Sequence, residues 1–100
     1  MNAAELMAGI DKWSNMWALP LPKGSEHLVY KDFPKMPIRV WEFIIAILTP
    51  FELKVLAYST YDNDTLARGQ VFVHPDGMVA LEKAIAEAGD ALFADETIKH

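Results

Sequence analysis

The chain has no cysteine. Disulfides, thiolate zinc sites and cysteine nucleophiles are thereby excluded, and a reducing compartment is favoured. Glycine is scarce as well: Gly24, Gly69 and Gly77 stand isolated, so no phosphate-cradling loop is spelled. Long apolar runs are missing too. The longest without a charge, FIIAIL at residues 43–48, falls far short of the ~20 residues that cross a bilayer. The opening MNAAELMAGIDKW has no basic region followed by an apolar stretch, so no secretory signal is read. The expectation is a cytoplasmic protein that engages no membrane.

Chemistry-bearing constellations are equally sparse. His27, His74 and His100 do not have the spacing of a metal pair on a helix, and no cysteine completes a set. If their strands paired, His27 and His74 would meet, and they read as packing or surface residues. Ser14, Ser25 and Ser59 lack a glycine elbow and a recognisable base. Asp62-Asn63-Asp64 begins like a calcium loop, yet Leu66 stands at the fifth position, Ala67 where the turn needs glycine and Val73 where a glutamate closes the loop. It reads as a solvated turn. No catalytic residue, metal ligand or cofactor is expected, and the enzyme class is disfavoured.

What is present describes an ordinary globular chain: 100 residues, 52% hydrophobic and 23% charged, with one domain expected over 1–100. The net charge of −5 is unevenly placed. Residues 1–60 carry six acids and six bases, whereas residues 61–100 carry eight acids against Arg68, Lys83 and Lys99. The C-terminal part therefore holds all of the net charge. Such a surface repels phosphate backbones and attracts basic partners.

Local signals place the elements. Asn2 followed by Glu5 has the spacing of a capping box, and Leu6, Ile10, Trp13 and Trp17 recur at helical spacing until Pro20, predicting a helix over about 3–18. Trp13 and Trp17 read as ordinary core. His27 to Tyr30 reads as a short strand. Pro37 suits a first helical position, and residues 37–48 are apolar on nearly every side, which predicts the innermost helix. Residues 50–61 have two readings. Thr49-Pro50-Phe51-Glu52 supplies a cap, a preorganised first residue and a capping glutamate, whereas Phe51 to Val55 alternates like a strand that would pair with residues 70–73. The caps favour helix. His74-Pro75-Asp76-Gly77 suits a tight turn, and Met78, Leu81, Ile85, Ala88 and Leu92 then mark an amphipathic helix over about 77–92. The expected fold is α+β, with three or four helices (about 3–18, 37–48, 50–61 and 77–92) and a small two-stranded antiparallel element (about 27–30 and 69–73).

The stretch KMPIRVWEFIIAILTPFELKVLAYSTYDND resembles the opening helix pair of winged-helix domains in plasmid and phage replication proteins. The resemblance implies two consecutive helices, followed by a recognition helix with basic or polar base-reading residues. The helix that follows here carries Glu82, Glu87 and Asp90 instead. No DNA-binding site is carried over.

The functional expectation is a small non-enzymatic binding or inhibitor protein of phage or mobile-element type, analogous to anti-CRISPR proteins. It would block a nucleic-acid-handling complex by partial DNA mimicry. Tyr61, Asp62, Asp64, Asp76, Glu82, Glu87, Asp90, Asp95 and Glu96 are the expected contacts, and a basic surface of a larger protein or ribonucleoprotein complex is the expected partner, with no direct nucleic acid. Trp and Tyr are frequent interface anchors, and Tyr58 and Tyr61 adjoin the acidic turn. The alternative is a winged-helix accessory protein that binds DNA through Lys23, Lys31, Lys35 and Arg39.

Overall fold

Asn2 and Glu5 close a reciprocal pair at the start of α1 (Ala3–Trp13). Asn2 Oδ1 accepts from the Glu5 N–H at 2.8 Å, and Glu5 Oε1 accepts from the Asn2 N–H at 2.9 Å. Two donors that a helix start leaves unpaired are thus satisfied, as the spacing predicts. Residues 1–13, 23–24 and 26–94 are described in this computed structural model. The predicted extension of α1 to residue 18, with the readings of Trp13 and Trp17 as core, lies outside what is described.

Four strands form one antiparallel sheet among the described residues. At its centre runs β4 (Leu66–Val73). Along one edge of β4, β1 (Val29–Asp32) and β2 (Met36–Pro37) lie end to end, with Val29 opposite Val73 and Met36 opposite Ala67. Phe33 bridges the gap by donating its N–H to the Gly69 carbonyl at 2.9 Å. The other edge is β3 (Leu53–Tyr61), paired from Leu53 opposite Val73 to Tyr61 opposite Leu66. The predicted pairing of β1 with β4 is therefore present, but the sheet is larger than a two-stranded element.

The helix expected over residues 50–61 is absent. Thr49 itself has helical angles (φ −55°, ψ −44°) and its Oγ1 donates to the Ile45 carbonyl at 2.6 Å, so it ends α2 (Ile38–Leu48) rather than capping a new helix. A 3-10 turn, Thr49–Phe51, follows, and Glu52 at φ 89° reverses the chain into β3. Local propensity favours helix only weakly. The free edge of β4 offers continuous backbone pairing and prevails. The second helix implied by the winged-helix resemblance is consequently a strand.

The core lies between the sheet and three helices. Val40, Trp41, Ile44 and Leu48 of α2 are buried together with Leu6 and Ile10 of α1, Val71 and Val73 of β4, and Met78, Leu81 and Ile85 of α3 (Pro75–Ala88). That α2 is central agrees with its all-round apolar sequence. The segment His74 to Gly77 is not a tight turn but the first turn of α3, because His74 Nδ1 accepts from the Asp76 N–H at 3.0 Å and Pro75 needs no donor partner. Gly89 at φ 55° stops α3, and a 3-10 turn, Gly89–Phe93, carries Leu92 and Phe93 into the core. On the far face of the sheet Leu28, Tyr30 and Phe72 form a second buried cluster.

Candidate functional site

Every residue from Lys54 to Tyr61 in β3 is exposed. Opposed residues of paired strands share a face. Val55, Tyr58 and Thr60 therefore lie on the helix side with their partners Val71, Gly69 and Ala67, while Ala57, Ser59 and Tyr61 lie on the far face with Gln70, Arg68 and Leu66. Val71 is wholly buried, yet Val55 beside it is 52% exposed. The helices cover β4, and of β3 only Leu53 is partly buried against the core. The indole of Trp41 does reach β3, stacking on Tyr58 with ring centroids 5.5 Å apart and planes at 22°. Leu56 is the extra residue of a bulge between Val55 and Ala57, and it too is exposed.

Beyond Tyr61 the hairpin turns through Asp62, Asn63 and Asp64, all at positive φ (51°, 60° and 67°). Asn and Asp tolerate this left-handed region better than other side-chain-bearing residues. Thr65 Oγ1 donates to the Asp62 carbonyl at 2.8 Å and completes the turn.

On the far face, Ala57 and Ser59 are small, and beside them opens a groove of about 250 Å³ lined by Tyr61, Arg68 and Gln70. Arg68 is tethered from below. One of its terminal nitrogens lies 3.3 Å from Oδ2 of Asp32, a carboxylate whose side chain is 1% exposed, while the arginine is 44% exposed. Burial and the Asp32 charge raise the pKa of the neighbouring Tyr30 hydroxyl. Lys35 Nζ stands 5.0 Å from the Tyr61 ring centroid.

At the opposite end of β3, Glu52 meets His27 with Oε1 2.7 Å from Nε2, and the His27 and His74 rings lie 6.0 Å apart. Pairing of β1 with β4 has brought together the two histidines, which lie just outside the paired ends of those strands rather than in them. The hydrogen bond from His27 holds the Glu52 carboxyl below its ordinary value of 4.5. A depressed folded-state value means stability that is present above the ordinary value and lost as pH falls through the lowered one. Glu52→Gln is therefore expected to reduce the acid sensitivity of the melting temperature below about pH 4.5. Identical slopes for the two proteins there would refute the coupling. Among the described residues no group of three or more His, Asp or Glu could hold a metal ion.

The acids expected to form one contact face are dispersed. Asp62 and Asp64 occupy the hairpin tip, whereas Asp76 begins α3 at the other end of the eight-residue β4, a separation of about 26 Å at ~3.3 Å per residue. Glu82 and Glu87 are exposed on α3. Asp90 is structural in part, since Oδ1 accepts the Ala3 N–H at 3.0 Å and caps α1. Tyr61 lies at the end of β3 with the groove, while Asp95 and Glu96 fall outside the described residues. No helix among the described residues is long and apolar enough to cross a membrane.

No protein-family model, curated protein or solved structure matches the chain. Its own surface must therefore carry the functional reading. Sequence reasoning missed Val55, Ser59, Arg68 and Gln70. The alternation of residues 51–55 was the one signal pointing toward them, and it is the reading that the local caps outweighed.

Proposed function

We propose that the protein is a non-enzymatic binding module that docks an extended segment of another protein along β3 by strand addition. The observation that carries this reading is the exposure of β3 from Lys54 to Tyr61, at an edge that no strand covers among the described residues. An edge of this length presents a row of unpaired backbone donors and acceptors, and such edges are normally kept short or heavily charged. Here the interior of the strand bears a single charge, Lys54, and presents Val55, Leu56, Tyr58 and Tyr61. In strand addition the main chain supplies affinity and alternate side chains supply specificity.

The charge layout supports a partner with basic flanks. Glu52 stands before the strand and Asp62 and Asp64 stand after it, in a chain of net charge −5 that steers basic surfaces toward itself. A larger protein or ribonucleoprotein complex with such a surface is the proposed partner. By occupying a segment which that complex needs, the module would act as an inhibitor.

Capture of partners from the native host by immobilised protein tests the reading. Val55→Lys with Thr60→Lys, two exposed positions, is expected to reduce recovery of the partner about tenfold or more, a change of roughly 1.4 kcal/mol or greater. Glu82→Gln with Glu87→Gln is expected to leave recovery within about twofold, since exposed charges away from the contact act mainly through long-range steering. The reverse pattern would move the contact to α3 and overturn strand docking.

A further inference from the structure

We infer that the groove on the far face of the sheet receives an acidic side chain of the segment docked on β3. The inference rests on strand docking along β3 and specifies what that segment must carry.

The groove exposes an arginine although the protein is acidic. Arg68 lines it, Lys35 stands beside it with its Nζ 5.0 Å from the centroid of the Tyr61 ring that also lines the groove, and the Asp32 carboxylate that pairs with Arg68 is wholly buried beneath. Asp32 contacts one terminal nitrogen of Arg68. A guanidinium carries five N–H donors in a rigid plane, so this contact sets its orientation and leaves others for a ligand. A carboxylate matches that fork in geometry and charge. Ser59, Tyr61 and Gln70, all polar, line the same space.

Register follows from the strand. Ser59 lies opposite Arg68, on the face that Ala57 and Tyr61 share. A strand added outside β3 continues the same pleat, so the residue it places beside Ser59 projects over the groove. Three residues further along lies Asp62, about 10 Å away at ~3.3 Å per residue, with Asp64 in the same turn. An acid displaced toward the tip meets repulsion, and a lysine or arginine there meets attraction. The docked segment is thus an extended stretch with Asp or Glu over Arg68 and a base about three residues away.

The probe is an acetylated nine-residue peptide of alternating valine and threonine, with one central glutamate and a lysine three positions from it. Its comparator replaces the glutamate by glutamine. Both are titrated into uniformly 15N-labelled full-length protein at low salt and followed by NMR. The glutamate peptide is expected to shift the amides of β3 together with those of Arg68 and Gln70 and the Arg68 side-chain N–H, and to bind about tenfold more tightly than the glutamine peptide. Lys35→Gln, at an exposed position, is expected to narrow that preference, which separates the groove from any effect on folding. Equal affinities with β3 amides shifted would overturn the acid-binding groove while leaving strand docking in place. Unshifted β3 amides at millimolar concentrations of either peptide would overturn both.

Discussion

Replacing Gly69 by alanine is expected to destabilise the protein by about 3 kcal/mol, the upper range for overpacking a filled core. Gly69 lies in the middle of β4, with the Trp41 indole directly against it: a Cβ there would stand 2.6 Å from Cζ2 and nearer still to Cη2. The indole has little room to retreat, because it packs edge-on against Phe33 with centroids 5.7 Å apart and stacks on Tyr58. Trp41→Ala alone is expected to cost about 4 kcal/mol through lost burial and the cavity left behind. The two losses do not add. Once the indole is gone the alanine methyl has space, so Gly69→Ala in the Trp41→Ala background is expected to cost less than about 0.5 kcal/mol. Denaturant unfolding of the four proteins in this cycle measures the coupling. Additive losses would show that some other contact makes alanine unacceptable at Gly69.

Arg68→Met is expected to cost about 2 kcal/mol. The reason lies in Asp32, whose carboxylate is completely buried and whose Oδ1 has no hydrogen-bond partner among the described residues. Arg68 compensates that charge through Oδ2. Removing one member of a buried pair leaves the other desolvated without compensation, which is more damaging than losing the attraction itself. The exposure of the arginine places the expected loss below that of a fully enclosed pair. Asp32→Asn added to Arg68→Met removes the stranded charge, so the double variant is expected to recover more than half of the loss. Thermal and denaturant unfolding of both variants at neutral pH reads the difference. A double variant less stable than Arg68→Met alone would assign Asp32 a different role.

The two effects bear on the proposed binding edge from opposite faces of the sheet. Trp41 meets β3 through Tyr58 on the helix side, and Arg68 faces the groove beside Ser59 on the other. Variants that test docking are therefore best placed at Val55, Thr60 and Lys35, which are exposed and contribute little to the core.

Much of the scaffold was legible in residue order. Asn2 and Glu5 announce the start of α1 because a capping box is a contact between residues three apart. The steps Met78, Leu81, Ile85 and Leu92 announce the buried face of α3 and its 3-10 extension, since helical periodicity is local. The strand character of residues 70–73 was equally plain, and β4 pairs on both edges, with β1 and with β3.

The site was not legible in the same way. The spelling of Thr49-Pro50-Phe51-Glu52 fits a helix start, and local terms of a few tenths to about 1 kcal/mol favour one. Pairing with β4 depends on residues a turn away and on the burial of Val71 and Val73 beneath α2 and α3, none of which a local pattern contains. The same applies to charge. Sequence placed the net charge beyond residue 60, but only the hairpin carried Asp62 and Asp64 about 26 Å from Asp76, turned Asp90 toward α1 and set Arg68 over Asp32. Composition, the absence of cysteine, the helix caps and the apolar stripes were determined by the sequence itself, because each is decided within a few residues. The exposed edge and the groove beside Arg68 were decided by tertiary structure, because strand pairing and charge proximity join residues that the chain keeps far apart.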